Sequence, residues 1–139
     1  MAKKHGISYW KKQAWVQFSR YIRLRDRLEE NGYPTEFATC CTCKKVAPWR
    51  SLQAGHFVAG RRNVILFDER NCHAQCYGCN CGRSGHVIEY YPYMIEKYGQ
   101  EVIDELKYMH DNEQRSFTIE ELMEMTADYR ARADELLAK

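Results

Sequence analysis

The segment from Cys40 to Asn80 opens with Cys40-Cys41-Thr42-Cys43. It carries Gln53-Ala54-Gly55-His56-Phe57 at its middle and closes with Asn71-Cys72-His73-Ala74-Gln75-Cys76-Tyr77-Gly78-Cys79-Asn80. Two Cys-x-x-Cys pairs stand at its ends, Cys40/Cys43 and Cys76/Cys79. Each pair suits a tight knuckle that points two thiolates at one ion, and four soft ligands together make a closed tetrahedral zinc site. A closed site has no open position, so the zinc is expected to be structural. It ties the ends of an insert together, and the insert carries His56, which the zinc does not need. Cys41 reads as a bystander between ligands. Cys72 and Cys81 read either as alternate zinc ligands, since Cys79 and Cys81 are also close in sequence, or as small buried residues.

Outward from this segment, 139 residues suit one domain with helical extensions. The expected parts are a basic N-terminal helix (1–32), a zinc-bound core (40–98) and a C-terminal helical extension (99–139). Three Trp and ten Tyr make the chain rich in aromatics. No apolar run approaches membrane-spanning length and no signal-type apolar core follows Met1-Ala2-Lys3-Lys4, so a soluble cytoplasmic protein with no membrane partner is expected. Seven cysteines, an odd number, with four of them in two Cys-x-x-Cys pairs, favour metal over disulfides. Net charge is only +2, but residues 1–62 hold 13 Lys/Arg against 4 Asp/Glu, and residues 63–139 hold 8 against 15. A basic first half beside a zinc module points to a polyanion, and so to nucleic acid.

Residues 1–7 are expected to form a frayed tail and residues 8–31 a helix. In that helix Trp15, Phe18, Ile22 and Leu28 pack, while Arg20, Arg23 and Arg27 form a second stripe that meets phosphates, with Lys11 and Lys12 adding to it. Arg25 and Glu29 are spaced as an i, i+4 pair. Residues 33–39 read as a connection. Gln53–Val58 and Val64–Phe67 read as two strands of a hairpin, and the Gly60–Asn63 turn presents Arg61 and Arg62 to a DNA backbone. A helix is expected from Ser84 or Gly85 to Tyr98, with Ile88, Tyr91 and Ile95 packed and Gly99 as its stop; Pro92 either lies near the first turn of a later-starting helix or kinks this one. Residues 100–110 form a short helix burying Val102, Ile103 and Leu106. Thr118 and Glu121 make a capping box for a last helix whose stripe Leu122, Met125, Tyr129, Ala133 and Leu136 is a core or helix-pairing surface.

A lone histidine near an apolar strand is more often structural. Order and spacing change the weighing here. His56 follows the first knuckle, Asn71 precedes Cys76 by five residues, and Asn80 directly follows Cys79. This order resembles the HNH endonucleases, in the variant with Asn at the last position. That resemblance implies an α+β fold: a ββα-metal core over roughly residues 40–98, a β-hairpin and helix around a catalytic ion. It also implies roles. His56 is the general base, Asn71 fixes the loop and the orientation of His56, and Asn80 is a ligand of a catalytic Mg²⁺ or Mn²⁺. The chemistry is consistent, because an imidazole has the right pKa to take a proton from water near neutral pH, and a divalent cation stabilises the leaving 3′ oxygen. Most HNH nucleases place Asp immediately before the histidine as second metal ligand. Here Gly55 stands there, so another group has to complete the site; His73, Asp68, Glu69, His86 and Glu89 are candidates, His73 first.

A closer resemblance covers nearly the whole chain. Ala54-Gly55-His56-Phe57, Leu66 to Cys76, Cys79-Asn80, Ser84-Gly85 and Ile88-Glu89-Tyr90 are similar to the NinG (Rap) recombination proteins of lambdoid phages. So are the N-terminal Trp15, Phe18-Ser19 and Tyr21-Ile22-Arg23 motif and the C-terminal Phe117-Thr118-Ile119-Glu120. In that family Gly also precedes the histidine, and His73 and Glu89 fall inside shared motifs. The resemblance implies a metal-dependent phage recombination nuclease that cuts branched DNA, including Holliday junctions and displacement loops. Two coordinated cuts imply a homodimer, with the C-terminal helix stripe as one candidate interface. The alternatives are an HNH nuclease acting on ordinary duplex DNA and a non-catalytic zinc DNA-binding module.

Overall fold

A computed structural model describes residues 4–139 of the chain; the first three residues of the expected tail lie outside them. Helix α1 (Ile7–Arg25) starts immediately after Gly6. Ala14, Phe18 and Ile22 recur one turn apart and are fully buried, each large side chain stabilising the fold by about 1.5–3 kcal/mol. The helix ends at Arg25, six residues earlier than the periodicity predicts. Its last residue and Asp26 form a polar anchor. Arg25 donates to Asp26 at 2.8 Å, to the Glu69 carbonyl at 2.9 Å and to the Cys72 carbonyl at 2.7 Å. The Asp26 carboxylate accepts the Ala74 N–H at 2.8 Å. The expected Arg25–Glu29 helix pair is thereby replaced.

Residues 27–39 are neither helix nor connection. They form a hairpin of β1 (Arg27–Glu30) and β2 (Tyr33–Thr39), with β3 (Val46–Pro48) added antiparallel to β2. The turn is Asn31-Gly32, both with positive φ (53° and 80°), the dipeptide whose left-handed conformations match the twist of a two-residue hairpin. Leu28, expected in the helix core, is exposed on β1.

The second sheet is β4 (Gln53–His56) paired antiparallel with β5 (Cys72–Gln75), in the register Gln53↔Gln75, Ala54↔Ala74, Gly55↔His73 and His56↔Cys72. The expected second strand, 64–67, is instead a helical turn, α2 (Asn63–Leu66), held by the Arg62 carbonyl and burying Ile65 and Leu66. A four-residue apolar run fits either structure; burial of two successive residues decided for the turn.

Helix α3 (Val87–Tyr98) begins after His86, contains Pro92 in its interior and stops at Gly99, whose φ is 89°. Its buried residues are Tyr90 and Met94. Ile88, Tyr91 and Ile95, expected to be packed, are 83%, 40% and 37% exposed. Tyr90 enters the core because its hydroxyl finds a partner there, the Gly55 carbonyl at 2.7 Å. Helix α4 (Gln100–Asn112) buries Ile103 and Leu106 as expected and leaves Val102 half-buried. Helix α5 (Ile119–Leu137) has the full capping box of Thr118 and Glu121 and buries Leu122, Thr126, Tyr129 and Ala133. That stripe lies against α1 in the most extensive helix–helix contact of the fold. It is therefore core, and not the intersubunit surface considered from sequence. Among the described residues no helix is long and apolar enough to cross a membrane.

Candidate functional site

Cys40, Cys43, Cys76 and Cys79 converge with their Sγ atoms all within 4.8 Å of one another. The Cys43–Cys76 Sγ separation is 3.7 Å, close to the ~3.8 Å edge of a tetrahedron with Zn–S near ~2.3 Å. The donor set and spacing fit one zinc ion. The first knuckle closes through Cys40 N–H to Lys45 O and Lys44 N–H to Cys40 O, with Lys44 at positive φ (68°). Polar groups surround the sulfurs. Thr42 Oγ1 lies 3.3 Å from Cys40 Sγ, and His86 Nδ1 lies 3.4 Å from Cys79 Sγ. Burial opposes ionisation of Cys79, but hydrogen bonds from Thr42 and His86 outweigh it and bring the thiol down to about 6. Burial pushes Cys41 and Cys72 the other way, and both stay outside the cluster as neutral buried thiols. Cys81 is also outside it, but exposed, against the reading of a small buried residue.

A cavity of about 570 Å³ lies beside this cluster, between α1, β4, the Ala59–Arg61 loop and the Asn80–Val87 segment. His56, at the end of β4, lines it. Its Nε2 lies 3.1 Å from the Leu66 carbonyl oxygen. A carbonyl only accepts, so Nε2 carries the proton and Nδ1 keeps its lone pair. The imidazole stacks on Trp15 of α1, ring centroids 5.1 Å apart at 21°. Burial lowers the His56 pKa below 6.5; the Leu66 hydrogen bond opposes this and Arg61 adds to it. The imidazole is thus neutral and unprotonated at Nδ1 near pH 7. Asn71, fully buried, fixes the chain just after His56: its Oδ1 accepts the Val58 N–H at 2.8 Å, its Nδ2 donates to the Val58 carbonyl at 3.1 Å, and its own carbonyl accepts the Phe57 N–H at 2.9 Å. The ring itself is held by Leu66 and Trp15 rather than by Asn71.

Asn80 lines the same cavity from the π-type turn Gly78–Gly82. Its Nδ2 donates to Gln53 Oε1 at 2.7 Å, which leaves the harder Oδ1 uncommitted. Arg23 and Arg61 also line the cavity. Among the described residues no carboxylate does.

Three sequence expectations fail at this site. His73 is not a ligand beside Asn80 but a core histidine with no exposed surface. Tyr98 O–H donates to its Nε2 at 2.8 Å, and its Nδ1–H donates to the Tyr90 oxygen at 3.2 Å, the Tyr90 proton being spent on Gly55. Burial, then Arg25 and Lys97, push its pKa down to about 2. Glu89 is exposed in the first turn of α3 and does not line the cavity; nor do Asp68, Glu69 and His86. Asp68 and Glu69 are engaged by Arg70 and Arg132.

The third is the arginine stripe, which divides. Arg20 pairs with Asp134 at 2.6 Å and Arg27, on β1, donates to the Leu136 carbonyl at 2.7 Å, so both clamp α5. Arg62 donates to the carbonyls of His110 and Glu113 at the C-terminal end of α4, where a cation is favoured by the helix dipole. Lys11 and Lys12 lie on α1 away from the cavity lining. Trp15, Gln53 and the Leu66 carbonyl are the site groups the sequence reading missed. Trp15 falls on the apolar stripe of α1, and periodicity alone does not distinguish a residue that packs in the core from one that packs against the His56 ring.

Fold and site together define a mixed α+β protein in which a four-cysteine cluster fitted to zinc abuts a basic, histidine-bearing cavity. The chain belongs to the NinG family: the family described as "Bacteriophage Lambda NinG protein" matches residues 1–138. It is 34% identical over 132 residues to "Protein ninG" of Escherichia phage 933W, covering 93% of this chain and 59% of that protein. The corresponding proteins of Escherichia phage lambda and Salmonella phage P22 are 34% and 33% identical over 132 residues, covering 93% of this chain and 58% of each. The chain thus spans less than two thirds of the length of these relatives. No solved structure matches it significantly.

Proposed function

We propose that this protein is a divalent-metal-dependent DNA endonuclease of phage recombination, with an HNH-like ββα-metal core and a structural zinc, that cuts branched DNA such as Holliday junctions and displacement loops in the host cytoplasm. The observation that carries the reading is His56: an imidazole in a cavity, its Nε2–H spent on Leu66 O and its Nδ1 free. That is the tautomer a general base needs. In the reaction a water oxygen bonds to phosphorus, its proton passes to His56 Nδ1, and the P–O3′ bond breaks, the leaving oxygen taking a proton from solvent. Arg23 and Arg61 neutralise the phosphodiester on entry. β4, β5 and α3 supply the hairpin and helix of the proposed core.

Asn80 is the oxygen ligand the chain offers to Mg²⁺ or Mn²⁺, its amide held by Gln53. One neutral oxygen and two guanidiniums do not make a resident cation site by themselves, so any such ion would have to arrive with the phosphate and keep most of its waters, as Mg²⁺ commonly does. When bound, the ion stabilises charge on the phosphate and leaving oxygen. Branched substrates are read through shape and phosphates rather than bases. Paired cuts at a junction call for a homodimer, whose interface lies elsewhere than the α1-facing stripe of α5.

The test is cleavage of a labelled four-way junction and a matched linear duplex with Mg²⁺, Mn²⁺ or EDTA, using wild type and His56→Ala. Junction-selective, metal-dependent cutting lost in the mutant is expected. Equal cutting of both substrates would leave a nuclease and remove the branched-DNA role. Binding without cutting by zinc-loaded wild type would leave a DNA-binding module.

A further inference from the structure

We infer that Trp15 is a positioning residue for the His56 base and the Arg61 cation, which makes the N-terminal helix, outside the zinc-tied segment, a working part of the site. This rests on the nuclease reading above. Trp15 is half-buried and lines the cavity. Its indole meets two of the groups the reaction uses: the His56 imidazole, stacked at 5.1 Å, and the Arg61 guanidinium, 4.5 Å from the ring centroid.

Each of these groups lacks another firm hold. His56 has one hydrogen bond, at Nε2, about which the ring is free to swing; a parallel aromatic surface removes that freedom. Arg61 sits in an exposed loop at positive φ (51°) and has no ion pair among the described residues. Stacking on an indole is how a guanidinium is fixed while its N–H groups stay free for phosphate. Trp15 in turn is braced by Phe18 and Phe67 at 5.6 and 6.4 Å, and Phe18 by Tyr129 of α5 at 5.0 Å. A continuous series of packed rings therefore runs from α5 through α1 to the imidazole.

A purely structural tryptophan would affect stability and leave the chemistry of His56 unchanged. The experiment compares wild type, Trp15→Leu and Trp15→Phe as zinc-loaded 139-residue chains, by NMR titration of the His56 ring and by single-turnover cleavage of junction DNA. In Trp15→Leu the His56 titration is expected to move up towards the ordinary histidine value. The cleavage rate at saturating DNA is expected to fall by about 10²-fold, the scale of a lost near-attack geometry, while DNA affinity falls no further than in Arg61→Ala. Trp15→Phe, which keeps an aromatic face, is expected to lie between, and it decides the matter if the leucine variant loses its zinc or its helices. Unchanged His56 titration in folded variants, or unchanged cleavage rates, would overturn the inference. If wild type cuts no DNA, the nuclease reading has failed and the NMR arm alone reports whether Trp15 holds the imidazole.

Discussion

Gly55, immediately before His56, has no room for a side chain. A Cβ built there would lie 1.9 Å from Gln75 Oε1. The Gln75 amide occupies that space because its Nε2 bridges Thr42 Oγ1 of the first knuckle (3.2 Å) and the Gly85 carbonyl at the cavity rim (2.8 Å). Gly55→Ala is therefore expected to cost about 1–3 kcal/mol by overpacking. Urea unfolding checks it, and Gln75→Ala in the same background is expected to recover part of the loss. The His73 effect is also a residue-scale one. Its ordinary value is 6.5 and burial holds it at about 2 in the fold. The unfolded chain takes up this proton as pH falls through about 6.5 and the folded chain does not. The stability this group contributes is thus complete above pH 6.5 and is lost on acidification, at up to about 1.4 kcal/mol per pH unit; His56 adds the same sign. Urea midpoints between pH 5.5 and 7 with saturating zinc should fall more steeply with acid in wild type than in His73→Gln. Equal slopes would show that His73 is not the source.

At the scale of elements, the two knuckles terminate β2 and β5 and hold both sheets to one point. Cys41 N–H also donates to Ala74 O across that junction at 2.9 Å. Expected behaviour is one zinc per chain, removed with loss of tertiary structure by a strong chelator. Cys76→Ser should lose the ion, whereas Cys81→Ser and Cys72→Ala should retain it. Metal analysis of the purified variants decides this; zinc retained in Cys76→Ser would place the site on other cysteines. The hairpin β1–β2 shows how local chemistry outranks helical periodicity: Asn31-Gly32 closes a turn, and Arg27 leaves the helix to clamp α5.

Across the whole molecule, the basic first half divides into two kinds of cation. Arg20, Arg27 and Arg62 are consumed by α5 and by the end of α4, while Arg23 and Arg61 face the cavity. Arg23→Ala and Arg61→Ala are expected to weaken DNA binding and to lower the slope of log K against log salt by about one unit each. Arg20→Met and Arg27→Met should lower the melting temperature and leave the slope unchanged. Fluorescence anisotropy at several salt concentrations, beside thermal melts, distinguishes the two sets. A slope change in the second set would return those residues to the DNA face.

Local spacing determined much of this protein. The two Cys-x-x-Cys pairs, the capping box of α5 and the stop at Gly99 depend on neighbours within a few residues, so they were legible in order along the chain. His56 and Asn80 were also legible as a pair, because each sits beside a recognisable motif. The tertiary structure decided the rest. It alone placed His73 among Tyr90 and Tyr98, turned Ile88, Tyr91 and Ile95 outward, spent Arg20 and Arg27 on α5, and brought Trp15 under His56. Each of these outcomes turns on packing and hydrogen-bond partners tens of residues distant. Periodicity reports which faces of an element are apolar, whereas the partner that buries a face or satisfies a polar group is set by the free energy of contacts made only when the chain is folded.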